Sequence, residues 1–318
     1  MALLIDILLL VVGFVLLIKG AAFLVDGASS LALRFKISPI VIGLTIVSFG
    51  TSAPELVVNV VAAIQGNAAL SFGNIIGSNI INILLILGIA AIIRPLHAQK
   101  GTVWREIPFS LMAVLVLLLM CNDVFFAGYP DLLSRSDGLI LLLFFIIFIV
   151  YTFGIPKIKV DALPDIKSYS MMKIGAFLIV GLCGLLLGGK IVVDRAVTIA
   201  RYLGMSDRLI GLTIIAIGTS LPELFTSAVA AFKNKVEIAI GNVVGSNIFN
   251  IFFILGLTSF IRPLPFVAEQ NIDLIVLLVA SVALFGSVFI GRRHRINRWE
   301  AAAFLTLYVA YAIFLFNA

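Results

Sequence analysis

Charge is what this sequence has least of. Only 12% of its 318 residues are Asp, Glu, Lys or Arg, against 62% hydrophobic residues and a mean hydropathy of +1.22. Soluble domains carry about 25% charged residues, so this composition excludes that class and points to a chain that crosses a membrane many times. The net charge of +6 is then no sign of nucleic-acid binding, because in membrane proteins an excess of Lys and Arg marks the cytoplasmic loops. Cysteine and histidine are scarce as well. Cys121 and Cys183 are too few and too far apart for a disulfide framework or a thiolate metal site, and His97 and His294 sit singly in basic segments. No HExxH motif and no phosphate loop occurs, which leaves metalloprotease and ATPase readings without support. A basic leader is missing too. The first apolar run begins at once and carries Asp6, so it reads as a first membrane helix rather than a cleaved signal.

Long apolar runs are what the chain has instead. They fall at about 3–25, 39–64, 73–93, 107–121, 137–153, 172–193, 209–232, 238–261, 272–290 and 299–317. A helix needs roughly 20 residues to span a bilayer, so the shorter runs are marginal, and the count is ten. Lys19 and Lys190 extend the first and sixth runs into long helices.

The chain also repeats itself. Residues 43–63 match residues 211–231 at 13 of 21 positions, and residues 73–95 match 241–263 at 14 of 23, with a constant offset of 168. Gly20/Gly188, Asp26/Asp194 and Ser38/Ser206 keep that offset. The expected fold is therefore an all-α polytopic membrane protein of ten transmembrane helices, made of two five-helix repeats. An odd number of helices per repeat turns the second one upside down, as in secondary transporters with midplane sites on interrupted helices. The expected units are 1–153, a cytoplasmic linker at 154–170, and 171–318. Fifteen of the 22 Lys and Arg residues fall in one set of alternate loops and five in the other. The positive-inside rule puts the first set in the cytoplasm and both termini outside a plasma (inner) membrane.

Within the repeated runs lie Gly50-Thr51-Ser52-Ala53-Pro54-Glu55 and Gly218-Thr219-Ser220-Leu221-Pro222-Glu223. A carboxylate at membrane depth is costly and reads as functional. The proline before each one removes a helix hydrogen bond and displaces the carbonyl four residues back. Thr51 and Ser52 lie four and three residues before Glu55, on its helix face, and Thr219, Ser220 and Glu223 repeat the spacing. One copy could be hydroxyls satisfying the backbone around a kink; two copies, each with a glutamate, favour ion ligands. These are hard oxygen donors, suited to Na⁺ and Ca²⁺. The next run of each repeat adds Ser78 and Asn82, and Ser246 and Asn250, each pair four residues apart. Their side-chain oxygens are further candidate ligands. Asn74, Asn79, Asn242 and Asn247 face elsewhere and stand equally for ligands or interhelical glue. Gly73/Gly77 and Gly241/Gly245 are small-xxx-small pairs. Asp26 and Asp194, near helix ends, suggest structural pairing, and the phenylalanine-rich stretch 144–153 suggests a lipid-facing surface.

The two GTSxPEL segments with their GNxxGSNxxN partners resemble the α-repeats of the cation/Ca²⁺ antiporter superfamily, in its prokaryotic sodium/calcium exchanger branch. The likeness is specific in these segments; elsewhere it lies in helix number and spacing. It implies a ten-helix exchanger whose central site uses Glu55, Glu223, Thr51, Ser52, Thr219, Ser220, Ser78, Asn82, Ser246 and Asn250, with backbone carbonyls at Ser48 and Ala216. It also implies that the first and sixth helices slide to alternate access. Where some members carry Asp, this chain has Asn82 and Asn250, so two carboxylates match one Ca²⁺. K⁺ co-transport stays open.

The leading expectation is a non-enzymatic antiporter moving Ca²⁺ against Na⁺, with no cofactor. The alternatives are a Ca²⁺/H⁺ antiporter in which the same glutamates carry protons, and a cation channel with acidic rings. An intramembrane hydrolase using Ser52 or Ser220 lacks a base beside either serine.

Overall fold

The computed structural model describes residues 2–99, 101–124, 131–154, 167–205, 214, 216–289 and 294–317. Most of the 154–170 linker, with Lys157 and Lys159, lies outside these residues, as do Lys100, Arg208, Arg292 and Arg293.

The fold is all-helical. In chain order the helices are α1 (Ala2–Phe35), α2 (Pro39–Thr51), α3 (Ala53–Gln65), α4 (Ala68–Ile93), α5 (Thr102–Met120), α6 (Arg135–Phe153), α7 (Met171–Tyr202), α8 (Ala216–Gly218), α9 (Leu221–Phe232), α10 (Val236–Ile261), α11 (Asn271–Ser287) and α12 (Arg298–Asn317). Among the described residues eight are long and apolar enough to cross a membrane, and the pair α2–α3, bent by 49°, brings the count to nine when taken as one broken span. α9 is apolar but shorter, and the residues just before α8 are among those not described. α1 and α7 run 34 and 32 residues, well past their apolar parts, as Lys19 and Lys190 suggested.

Two pairs of short strands and several side-chain bonds sort the connections onto two faces. Leu96–His97 pairs with Arg295–Ile296, Lys233 Nζ reaches Asp26 Oδ1, and Glu237 accepts from Ser38 Oγ and Gln99 Nε2. These loops carry the described part of the larger basic set, and they share one face. On the other face Leu132–Leu133 pairs with Leu264–Pro265, Arg262 Nη1 donates to the Ile64 carbonyl, and Gln270 Nε2 donates to the Ala69 carbonyl. Loops that the charge count separated are therefore separated in space.

α10 runs through the middle of the molecule, its residues 238–252 all buried. Gly241 and Gly245 make that burial possible. A Cβ on Gly241 would stand 2.8 Å from the Ile40 carbonyl, and one on Gly245 2.8 Å from the Leu44 carbonyl, so α10 touches the backbone of α2. The residues matching that contact for Gly73 and Gly77, 208–216, are mostly outside the described chain. α1 and α7 cross through a second glycine seam at the edge of the bundle. A Cβ on Gly20 would lie 2.8 Å from both the Gly181 carbonyl and the Leu185 amide nitrogen. Arg195 Nη1 and Asp6 Oδ1, 2.9 Å apart, clamp the same two helices.

The phenylalanine-rich stretch is not simply a lipid face. Phe153 is 72% exposed, but Phe148 is fully buried, Phe144 stacks on Phe252 of α10, and Phe145 packs edge-on against Phe249 and at a tilt against Phe253. Sequence patterning missed this because an aromatic that packs on another apolar helix has the same composition as one that faces lipid.

Candidate ion-binding site

The two motifs break their helices in the same way. Ser52 (φ −81°, ψ 10°) and Ser220 (φ −86°, ψ 4°) leave helical geometry, and α3 and α9 restart with Pro54 and Pro222 in the first turn. Proline costs nothing there, because the first amides of a helix have no carbonyl to meet. The restart puts Glu55 and Glu223 in the first turn of their helices, at the positive end of the helix dipole. Each is only 1% exposed.

α4 and α10 bring the second set of side chains. Both pass into a π-helical turn, Ile81–Ile86 in α4 and Phe249–Leu255 in α10. Asn82 and Asn250 lie in these turns. Such bulges shift the facing of side chains and recur at functional sites.

The bonds cross between the repeated segments. Ser52 Oγ donates to Glu223 Oε1 at 2.9 Å, and Ser220 Oγ donates to Glu55 Oε1 at 3.3 Å. Ser78 Oγ donates to Glu55 Oε1 at 3.3 Å, and Ser246 Oγ to Glu223 Oε1 at 3.5 Å. Ser220 and Ser78 also touch, with their hydroxyls 3.2 Å apart. Each carboxylate is thus held by the serine of the other motif and by the serine of the following helix.

The asparagines divide into two roles. Asn82 Nδ2 donates to Asn247 Oδ1 at 3.0 Å, and Asn250 Nδ2 donates to Asn79 Oδ1 at 2.9 Å. Asn79 and Asn247 therefore fix the amide ends of Asn82 and Asn250 and leave their oxygens free. Asn242 Oδ1 accepts from Thr51 Oγ1 at 3.0 Å, while its Nδ2 donates to Ser227 Oγ and the Glu223 carbonyl. Asn74 Oδ1 accepts from Thr219 Oγ1 at 3.5 Å. The four asparagines whose role the spacing left open act as braces. Ser48 donates its hydroxyl to the Thr45 carbonyl, and its own carbonyl accepts from the Ser52 amide and the Thr51 hydroxyl. Ala216 begins α8. Thr219 also stands beside the Glu55 carboxylate and Thr51 beside that of Glu223, so both threonines border the carboxylates across the repeats, as Ser52 and Ser220 do.

Among the buried oxygens with no hydrogen-bond partner are Glu55 Oε2, Glu223 Oε2, Asn82 Oδ1 and Asn250 Oδ1, with Asn59 Oδ1 and Thr226 Oγ1 about one turn further along α3 and α9. The first four form two sequence-equivalent pairs and all are acceptors. A buried polar atom left unmatched costs about 1–3 kcal/mol, more when charged. Such a cost is tolerated where something fills it, and a hard cation is the partner that carboxylate and amide oxygens suit. Asn59, which spacing did not single out, donates Nδ2 to the Glu55 carbonyl at 2.9 Å and steadies the first turn of α3. A second buried carboxylate system lies apart from the site, with Tyr151 Oη donating to Glu106 Oε1 at 2.6 Å. Glu106 opens the fourth apolar run, where an acidic residue reads as a loop end.

Fold and site together define a polytopic membrane protein with a buried cluster of hard oxygens at the meeting of four broken or bulged helices. The model of the family described as sodium/calcium exchanger protein matches residues 5–154 and 173–317. The chain is 39% identical over 300 residues to a putative antiporter, CaxA, of Alkalimonas amylolytica, an alignment covering 91% of this chain and 92% of that one. It is 32% identical to the sodium/calcium exchanger MaX1 of Methanosarcina acetivorans over 98% and 99% of the two chains. A solved structure of the sodium-calcium exchanger NCX_Mj superimposes with a TM-score of 0.83 at 34% identity, covering 98% of this chain and 99% of that chain. This chain belongs to the sodium/calcium exchanger family.

Proposed function

We propose that this protein is a secondary antiporter that moves Ca²⁺ against Na⁺ by exposing one buried site alternately to the two sides of the membrane. The observation that carries this reading is the set of four unpartnered oxygens on Glu55, Glu223, Asn82 and Asn250. The proposed ligands are those four side chains with the hydroxyls of Ser52, Ser220, Ser78 and Ser246 beside them. Thr51, Thr219 and the carbonyls of Ser48 and Ala216 complete the set. Two carboxylates balance one Ca²⁺ or two Na⁺, and a third Na⁺ leaves the loaded site positive. One ion species can then replace the other without a large change in buried charge, which is what exchange at a shared site requires.

The proposed architecture is ten spans in two inverted repeats, 1–153 and 171–318, joined by the 154–170 linker, with α8–α9 belonging to the seventh span. The sequence offset of 168 and the reciprocal pairing of loops support it. The proposed location is the plasma (inner) membrane, with the basic face in the cytoplasm and both termini outside. K⁺ is proposed only as a further monovalent cation for the Na⁺ positions.

The test is vesicle transport with the two driving forces separated. An outward Na⁺ gradient at fixed pH is expected to drive Ca²⁺ uptake, with protons only competing for Glu55 and Glu223. If a proton gradient without Na⁺ drives uptake and the Na⁺ gradient does not, the protein is a Ca²⁺/H⁺ antiporter.

A further inference from the structure

Asp26 and Asp194 stand 168 residues apart, outside the site just described, and the structure treats them differently. The Lys233 ammonium lies 2.8 Å from Asp26 Oδ1 and also donates to the Ala22 carbonyl at 3.1 Å. One turn of α1, a carboxylate with the carbonyl four residues before it, thus holds a cation. Asp194 forms the corresponding turn of α7, with Lys190 in the place of Ala22. The counterpart of Lys233 is the uncharged Gln65. Among the described residues, neither Asp194 nor Lys190 has a side-chain ion pair.

Asp194 and Lys190 instead line a cavity of ≈ 190 Å³. It runs between α7 and the two motif prolines, Pro54 and Pro222, and reaches Thr219. The matching positions show the contrast. Thr51 and Val25 are fully buried, while Thr219 and Val193 are partly exposed. On the face where Arg195 meets Asp6 the cavity opens inward as far as Thr219, with Asp194 and Lys190 exposed along it. On the basic face, where Lys233 sits on Asp26, the matching Val25 and Thr51 are covered.

We propose that Asp26 and Asp194 are equivalent cation waypoints, one on each approach, and that Lys233 is a tethered cation occupying Asp26 while its approach is shut. Asp194 receives the hydrated Ca²⁺ or Na⁺ that enters from the open face. A carboxylate in a recess with apolar walls concentrates cations there and raises their entry rate. Lys190 on the same wall opposes this, and repels a divalent ion twice as strongly as a monovalent one. The inference rests on the exchanger reading, since it needs one site reached from two faces.

The experiment uses the full chain in vesicles of known orientation, with radiolabelled Ca²⁺ presented to each face in turn under a Na⁺ gradient. Asp194→Asn is expected to raise the KM for Ca²⁺ about tenfold at the open face and at low salt. kcat and the KM at the basic face stay unchanged, and high salt erases the difference. Asp194→Glu restores the KM, and Lys190→Gln lowers it. For the tether, Val25→Cys is placed in a chain lacking Cys121 and Cys183. Lys233→Gln is expected to make that cysteine reactive to a water-soluble thiol reagent from the basic face, whereas Lys233→Arg leaves it protected.

A KM for Asp194→Asn equal to the wild type at low salt overturns the waypoint. So does a fall in kcat at both faces, which marks a structural residue. An unreactive Val25→Cys in the Lys233→Gln chain overturns the tether. These results leave the exchanger reading standing. A wild type that moves no Ca²⁺ down a Na⁺ gradient overturns that reading, and this inference with it.

Discussion

Replacing Glu55 or Glu223 by glutamine tests the shared site most directly. The change keeps shape and volume and removes one of the two formal charges on the site. Each carboxylate is 1% exposed, with one oxygen held by serines and the other without a partner. In the unloaded protein the substitution removes a buried charge, so the fold should persist and the ion-free form should gain stability. In the loaded protein it leaves Ca²⁺ facing a single negative charge. Removing one member of a buried charged pair costs about 3–5 kcal/mol. At about 1.4 kcal/mol per factor of ten, Ca²⁺ affinity should fall by roughly a hundredfold to a few thousandfold.

Two assays read this loss. In detergent, Ca²⁺ at a hundred times its dissociation constant should stabilise the wild type by about 2.7 kcal/mol. At the same Ca²⁺ concentration Glu55→Gln and Glu223→Gln should show almost no stabilisation. In vesicles, Na⁺-driven Ca²⁺ uptake should be lost in both. If one variant keeps near-normal uptake and its Ca²⁺-dependent stabilisation while the other loses them, the two glutamates do not share one ion. If both keep them, the carboxylates are not the site.

Two further predictions concern the scaffold. A methyl group on Gly20 would meet the Gly181 carbonyl and the Leu185 amide nitrogen at 2.8 Å, both of them backbone atoms that cannot rotate away. Gly20→Ala should therefore cost about 1–3 kcal/mol of stability in a thermal melt, and an unchanged melting temperature would mean that the α1–α7 seam can open freely. Cysteines introduced at Lys167 and Asn317, in a chain lacking Cys121 and Cys183, should be labelled by an impermeant reagent from opposite sides of the membrane. Labelling from one side would mean that the number of spans between them is even rather than odd.

The sequence by itself determined the solvent this protein lives in, its helical class and the hard-oxygen character of its candidate site. Those features follow from composition and from local spacing. A bilayer core leaves the backbone few alternatives to helix, and a Pro-Glu pair after hydroxyls breaks a helix in the same way wherever it occurs. The duplication made the signal firmer, because chance seldom places two such breaks at one offset.

What the tertiary structure decided is which groups face one another. Spacing puts Ser52 on the same helix face as Glu55, but it does not say that its hydroxyl reaches Glu223 instead. Nor does it divide the asparagines into Asn82 and Asn250, with free oxygens, and Asn79 and Asn247, which hold them in place. Those outcomes depend on how α4 and α10 lie across the broken helices and on π turns that no residue type announces. The difference between Asp26 and Asp194 has the same origin. The two positions carry the same residue; the sequence differs at Lys233 and its counterpart Gln65, but only the packing shows that this lysine lies against Asp26 while a cavity lies against Asp194.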